Sequence, residues 1–355
     1  MTLKDRLQAQ IARGGPLTVA QYMTACLHDP RDGYYATRPA LGEGGDFLTA
    51  PLVSQMFGEL LGLWAAEVWV RLGRPDRVLL VEAGPGDGTL ISDALRAARL
   101  APGFLEAVKL VLVETSAPLI EAQRATLGGG VAEPAWATSL AELPHGAPLI
   151  LVSNELLDCL PARQFVRTAQ GWAERMVGLD AAGELAFGLT PSQAGAALPA
   201  AEVGDLIETS PAQEAFGAEL GALIARQGGA ALLIDYGRAV PGPGDTLQAR
   251  KGHQKVGPLE SPGEAYLTVH ADFPAVAAAA RRAGAQTAPI LTQGELLGRL
   301  GVYERAEALM RARPDRSEIL ERQLARLTAP DQMGSLFKAL AIHSAHLTPP
   351  GFEEL

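Results

Sequence analysis

The stretch Val78-Leu79-Leu80-Val81-Glu82-Ala83-Gly84-Pro85-Gly86-Asp87-Gly88-Thr89-Leu90 decides the fold. Four consecutive apolar residues make a short, fully buried strand. Glycines at 84, 86 and 88 make a tight turn, and a helix follows from Thr89 to Arg99. Strand, glycine turn and helix open a βαβ unit. The rhythm continues downstream. Leu110 to Val113 is a second strand ending at Glu114, with its helix over Ala117 to Thr126. Ala135 to Ala137 is a weak third strand. Pro148 to Ser153 is a fourth, ending at Asn154-Glu155. Ala230 to Ile234 is a fifth, ending at Asp235-Tyr236-Gly237. This alternation predicts an α/β fold with a Rossmann-like parallel sheet.

Around that core the pattern changes. Residues 1–75 read as an N-terminal helical segment, with Thr18 a candidate cap and a Gly-, Asp- and Pro-rich loop over 28–51. The core occupies 76–160 and 206–290. Between them, 161–205 reads as an antiparallel insertion, and Asp205 to Arg226 as a helix. Residues 291–355 form a helical part: Gln293–Arg311, Arg316–Leu327, then a final edge strand over Leu336–His343. The amphipathic pair serves a homodimer or packs on its own domain.

The composition narrows the partners. The chain has 355 residues and a formal net charge of −10, with no basic run of the kind that neutralises phosphates. No nucleic-acid partner is expected, and an acidic surface suits a cationic one. Cys26 and Cys159 are far apart and form no metal-ligand spacing. No apolar stretch is long enough for a membrane span. Met1 to Arg13 lacks the apolar centre of a secretory signal, so a cytoplasmic protein is expected.

The glycine loop carries the chemistry. Its spacing is GxGxG, whereas a dinucleotide fingerprint is GxGxxG. Glu82 and Asp87 flank it, and carboxylates are poor neighbours for a pyrophosphate. They suit a cationic ligand with an α-amino group and a sulfonium, which points to S-adenosyl-L-methionine. Glu114, at the end of the next strand, stands where an acid accepts hydrogen bonds from ribose hydroxyls. At the fourth strand, Asn154 can hold an amine, and Glu155 with Asp158 can pair with a guanidinium. Asp235 faces the same rim. His253 and His270 are further candidate bases. A helix-capping role for Asn154 and Asp158 is the structural alternative.

The chain also resembles a known family. Gly45-Asp46-Phe47-Leu48-Thr49-Ala50-Pro51 with Ser54-Gln55-Met56-Phe57-Gly58-Glu59 is similar to the GDF–SQ signature of the MidA-like methyltransferases. Glu82 to Leu90, Asn154 to Pro161 with Gln164-Phe165, Asp235-Tyr236-Gly237 and Leu267 to Phe273 match its later blocks in order. Asp87 stands where the family often has Arg. The resemblance implies a class I methyltransferase with a seven-stranded sheet and a helical accessory part. It implies S-adenosyl-L-methionine as cofactor and S-adenosyl-L-homocysteine as product. It implies contacts from Glu82, Gly84, Pro85, Gly86, Gly88, Thr89, Glu114, Thr115 and Asn154, and from Thr49, Ser54 and Gln55 in the early block. Glu155, Asn154, Asp158 and Asp235 become the catalytic candidates. The family includes a mitochondrial protein-arginine methyltransferase of complex I assembly. The implied partner is therefore a protein presenting an arginine, in a respiratory complex I subunit or assembly intermediate. Other readings are methylation of a small molecule or another side chain, a non-catalytic assembly chaperone, and a nicotinamide dehydrogenase.

Overall fold

The computed structural model describes residues 1–37, 49–129, 132–192 and 198–353. Gly45 to Leu48, the first four residues of the early motif, lie outside the described residues.

Five parallel strands form the centre. They are β1 (Val78–Ala83), β2 (Val108–Val113), β3 (Ala135–Ala137), β4 (Leu149–Asn154) and β5 (Gly229–Arg238). In space they run β3-β2-β1-β4-β5. The order reverses between β1 and β4, and that reversal opens a crevice at their carboxyl ends. β6 (Phe337–His343) pairs antiparallel with β5, and Gln286–Thr287 extends the path to seven strands. Ala271–Asp272 and Leu291–Thr292 add short pairings off that path, to β5 and β6. Every residue of β1 and β4 is buried, as a sheet covered on both faces requires.

One face carries helices Gln55–Arg71 and Thr89–Ala98 with the C-terminal helices. The other carries Pro211–Gln227 and Phe273–Arg282. The first pair packs backbone against backbone. A Cβ at Gly62 would sit 2.2 Å from the Ala94 carbonyl oxygen. Gly62→Ala is therefore expected to destabilise the protein by about 1–3 kcal/mol through overpacking. A melting temperature unchanged from the wild type would contradict this close approach.

Three readings need correction. Leu206–Thr209 is not the first turn of a helix. It is a strand paired with Arg163–Thr168, so the antiparallel sheet continues past residue 205. Buried Glu208 anchors it, accepting from Gln164 Nε2 at 2.9 Å and Arg238 Nη2 at 3.0 Å. The same sheet recruits Leu17–Thr18 against Gly171–Leu179. The helix expected over Gln293–Arg311 breaks at Gly301, where φ is 89°. Finally, β6 is no edge, since short strands pair along its outer side.

Candidate functional site

The glycine turn sits at the head of the crevice. Gly84, Gly86 and Gly88 have φ of 71°, 57° and 84°. A Cβ at Gly84 would also meet Leu156 Cδ1 at 3.1 Å, so this position admits glycine on two counts. Asp87 Oδ1 accepts from the Thr89 amide at 2.9 Å, satisfying a free donor of the first helical turn. Gly88 is the N-cap of that helix.

Glu114, at the end of β2, is held from three sides. Oε1 accepts from the Thr115 and Ser116 amides, both at 2.8 Å. Oε2 accepts from Gln123 Nε2 at 3.2 Å. Gln123 is fully buried and also donates to the Gly86 carbonyl at 2.8 Å. Its own oxygen accepts from Trp136 Nε1 at 2.8 Å. One glutamine thus fixes the glycine turn, the acid and β3 relative to one another. Sequence reasoning did not find it, because a mid-helix Gln gives no signal.

Asn154 and Glu155 close β4. Glu155 has φ of 54°, a left-handed backbone that a non-glycine residue rarely adopts. Its Oε1 accepts from Asn154 Nδ2 at 3.1 Å and from the Ala50 amide at 3.4 Å. Burial, aided by the charge of Asp158, pushes its carboxyl up to about 8.

A cavity of about 360 Å³ joins these groups. Thr49, Glu82, Gly84, Pro85, Gly86, Glu114, Thr115, Asn154 and Glu155 line it. The other expected residues do not. Gly88 and Thr89 begin the helix behind the turn. Ser54 Oγ accepts from the Met56 amide and caps the helix beginning at Gln55. Gln55 donates to Glu59 at 3.2 Å. Both side chains are spent on helix Gln55–Arg71. His253 is exposed, and His270 packs edge-on to Tyr236. Neither lines the cavity.

Asp158 and Asp235 also require correction. Both are fully buried and lie behind the lining rather than in it. Asp235 Oδ2 accepts from the Asp158 amide at 3.1 Å, and Oδ1 from the Tyr236 amide at 2.8 Å. Neither Asp158 oxygen has a partner of hydrogen-bond geometry, although the Tyr236 hydroxyl is close enough to oppose its upward shift. Burial raises both carboxyls, Asp158 to about 7.

Five buried carboxyls at or behind the site are thus raised, Glu82, Glu114, Glu155, Asp158 and Asp235, and Asp93 on helix Thr89–Ala98 joins them, each first by desolvation. The folded chain keeps protons that the unfolded chain releases near the ordinary carboxylate range. Stability from these groups is full below that range and is lost as pH rises toward about 8. Partial desolvation lowers His28 and His270, which oppose this only below their ordinary value. The ligand-free protein is expected to melt at lower temperature at pH 8 than at pH 5.5. A flat or rising calorimetric profile over that window would refute it.

The lining fits S-adenosyl-L-methionine. Glu82 Oε2 and Asn154 Oδ1 are buried acceptors without a partner, beside a turn with glycine at 84, 86 and 88. Two free acceptors match an α-ammonium group. Comparison with known proteins agrees. Residues 60–291 match the model of a family described as S-adenosyl-L-methionine-dependent methyltransferases. The chain belongs to this family. It is 35% identical to the mouse "Protein arginine methyltransferase NDUFAF7, mitochondrial", over 95% of this chain and 83% of that one. The Drosophila melanogaster homologue is 33% identical, over 98% and 86%. A Burkholderia thailandensis structure with S-adenosyl-homocysteine bound is 28% identical, with a TM-score of 0.84, covering 99% of this chain and 92% of its own. The protein is an S-adenosyl-L-methionine-dependent methyltransferase on a Rossmann-like fold. The expectation of a cytoplasmic protein is corrected, because the mouse and Drosophila relatives are named as mitochondrial. Among the described residues no helix is long and apolar enough to cross a membrane.

Proposed function

We propose that the protein methylates an arginine side chain of another protein. The observation that carries this reading is Glu155. It is a cavity-lining carboxylate in a strained backbone, fixed by Asn154 and the Ala50 amide. The mouse and human relatives, named as protein arginine methyltransferases, support it. A carboxylate orients a guanidinium through paired hydrogen bonds, a geometry lysine does not share.

The residue roles follow. Glu82 and Asn154 hold the amino-acid end of the cofactor through their free oxygens. Glu114 receives the ribose hydroxyls, with Thr115 beside it. Gly84, Pro85 and Gly86 let the backbone approach. When bound, the cofactor supplies an electrophilic methyl group on a sulfonium. Glu155 orients the guanidinium nitrogen and accepts the proton that this nitrogen loses on methylation. Asp158 acts behind Glu155, adding to the burial that keeps its proton affinity high, and Asp235 holds the Asp158 backbone. Thr49 and the helical turn Ala50–Val53 wall the site against water.

The division of labour along the chain is part of the proposal. Residues 76–160 and the segment after Thr209 build the cofactor half, and 1–75 supplies one wall. The resemblance to a complex I assembly enzyme motivates a finer reading, in which the acceptor sits on a respiratory complex I subunit or assembly intermediate. A homodimer through the C-terminal helices rests on exposed Tyr303 and Ile319, and sedimentation tests it.

The test is methyl transfer from radiolabelled S-adenosyl-L-methionine to purified complex I intermediates, followed by mass spectrometry of the labelled residue. Label on arginine is the expected result. Label confined to other side chains or to small molecules overturns the acceptor assignment.

A further inference from the structure

The cavity has a second wall that the cofactor chemistry leaves unused. His28, Tyr34, Tyr35 and Tyr266 all line it. Tyr34 and Tyr266 lie 5.2 Å apart, centroid to centroid, Tyr34 and Tyr35 5.6 Å, and Tyr35 and Tyr266 6.1 Å. His28 stacks on Tyr35 at 5.5 Å and 26°. The group is assembled from distant parts of the chain. Tyr34 and Tyr35 belong to the short helix Tyr34–Thr37, and Tyr266 begins the strand Tyr266–Thr268. The Tyr35 and Tyr266 hydroxyls meet at 3.3 Å. Ser116 Oγ donates to the Tyr35 carbonyl at 2.8 Å, which pins this wall to the loop after β2.

The charged side chains of the lining are all acidic. Glu82, Asp87, Glu114, Glu155 and Glu219 contribute, and among the described residues no lysine or arginine lines the cavity. Aromatic faces carry negative charge density, and they attract a cation most strongly where water is excluded. A flat, delocalised cation gains further by stacking. Asp158 and Cys159 lie near the Tyr35 and Tyr266 hydroxyls; burial first, and then the charges of Asp158 and Cys159, raise both phenols.

We propose that His28, Tyr34, Tyr35 and Tyr266 form the acceptor wall, which grips a guanidinium by its face while Glu155 takes its edge. This rests on the arginine reading above and deepens it. Tyr266 becomes a specificity-determining residue. Its ring, rather than its hydroxyl, does the selecting, and the neutral isostere citrulline is discriminated against at the same wall. His28, at the exposed mouth, contributes less.

The experiment is a ligand-observed NMR titration of the full chain saturated with S-adenosylhomocysteine. The probes are N-acetyl-arginine amide, N-acetyl-citrulline amide and N-acetyl-lysine amide. In the wild type, the arginine probe is expected to bind about tenfold more tightly than citrulline and several-fold more tightly than lysine. Tyr266→Phe is expected to keep that preference within about twofold, and Tyr266→Leu to lose most of it. His28→Ala, which leaves the buried rings in place, is expected to cost about two- to threefold. It stands in if Tyr266→Leu does not fold, as judged by its affinity for S-adenosylhomocysteine. Arginine preference unchanged in both Tyr266→Leu and His28→Ala overturns the wall and leaves the arginine reading standing. A wild type that binds S-adenosylhomocysteine yet shows no preference for arginine overturns both.

Discussion

Glu155→Gln lowers kcat by about 100-fold or more, the range spanned by a general base, and leaves affinity for S-adenosylhomocysteine within about threefold. The substitution keeps the shape of the side chain and its hydrogen bond from Asn154 Nδ2. It removes the charge that pairs with a guanidinium and the site that takes its proton. The strained backbone at this position supports a functional reading, because a left-handed non-glycine residue costs about 1–3 kcal/mol and persists only where its surroundings enforce it. Here the Glu155 amide donates to the Ile234 carbonyl at 3.0 Å, tying the bend to the neighbouring strand β5. The wild-type pH profile supplies an independent check. Burial holds the carboxyl up to about 8, so in the free enzyme it is protonated below that value and charged above it. kcat/KM for an arginine acceptor is therefore expected to rise through pH 7 and level off above about 8. A Glu155→Gln enzyme with near-wild-type turnover and an unchanged rising limb would remove Glu155 from the chemistry.

The sequence exposed the cofactor half of this site because that half is local. An apolar run, three glycines and an acid at each strand end lie within a few residues of one another, and β1, β2 and β4 carry them to one crevice. The acceptor half was only partly legible. A strand-end position shows that a side chain faces the rim, but not how deeply it lies. Asp158 and Asp235 share the rim of Glu155 in sequence, yet they fold beneath it: Asp235 accepts from the Asp158 and Tyr236 amides, and the Asp158 carboxyl is buried behind the cavity lining. Ser54 and Gln55 fall in a motif block that includes a cavity residue, Thr49, but a helix start spends their side chains on its own amides and on Glu59. The Tyr35–Tyr266 contact joins residues 231 positions apart, and no local pattern reports such a pairing. The same limit explains Leu206–Thr209. Four residues cannot show a period, and their partner strand lies more than forty residues earlier.

Glu114→Ala is expected to weaken S-adenosylhomocysteine binding by about 100-fold or more, since two charge-assisted hydrogen bonds contribute about 1.5–3 kcal/mol each. The preorganisation of this carboxylate argues for the upper part of that range. The Thr115 and Ser116 amides and Gln123 hold it before any ligand arrives, so little ordering remains to oppose binding. Gln123 cannot adapt to the loss. Trp136 fixes its oxygen and the Gly86 carbonyl fixes its amide, so the side chain stays in place with one donor interaction missing. Glu114→Gln offers no rescue, because it turns an amide toward the Gln123 amide and sets donor against donor. The two variants separate binding from folding. Both are expected to lose the rise in melting temperature that S-adenosylhomocysteine gives the wild type, since a ligand stabilises only in proportion to its affinity. In the absence of ligand, removal of a buried carboxyl whose charge is opposed by desolvation offsets part of the lost hydrogen bonding. The ligand-free melting temperature therefore moves far less than the ligand-induced shift. Calorimetric titration and thermal melts on the same samples decide the matter. Wild-type affinity in Glu114→Ala would place the ribose elsewhere and undo the assignment of this crevice.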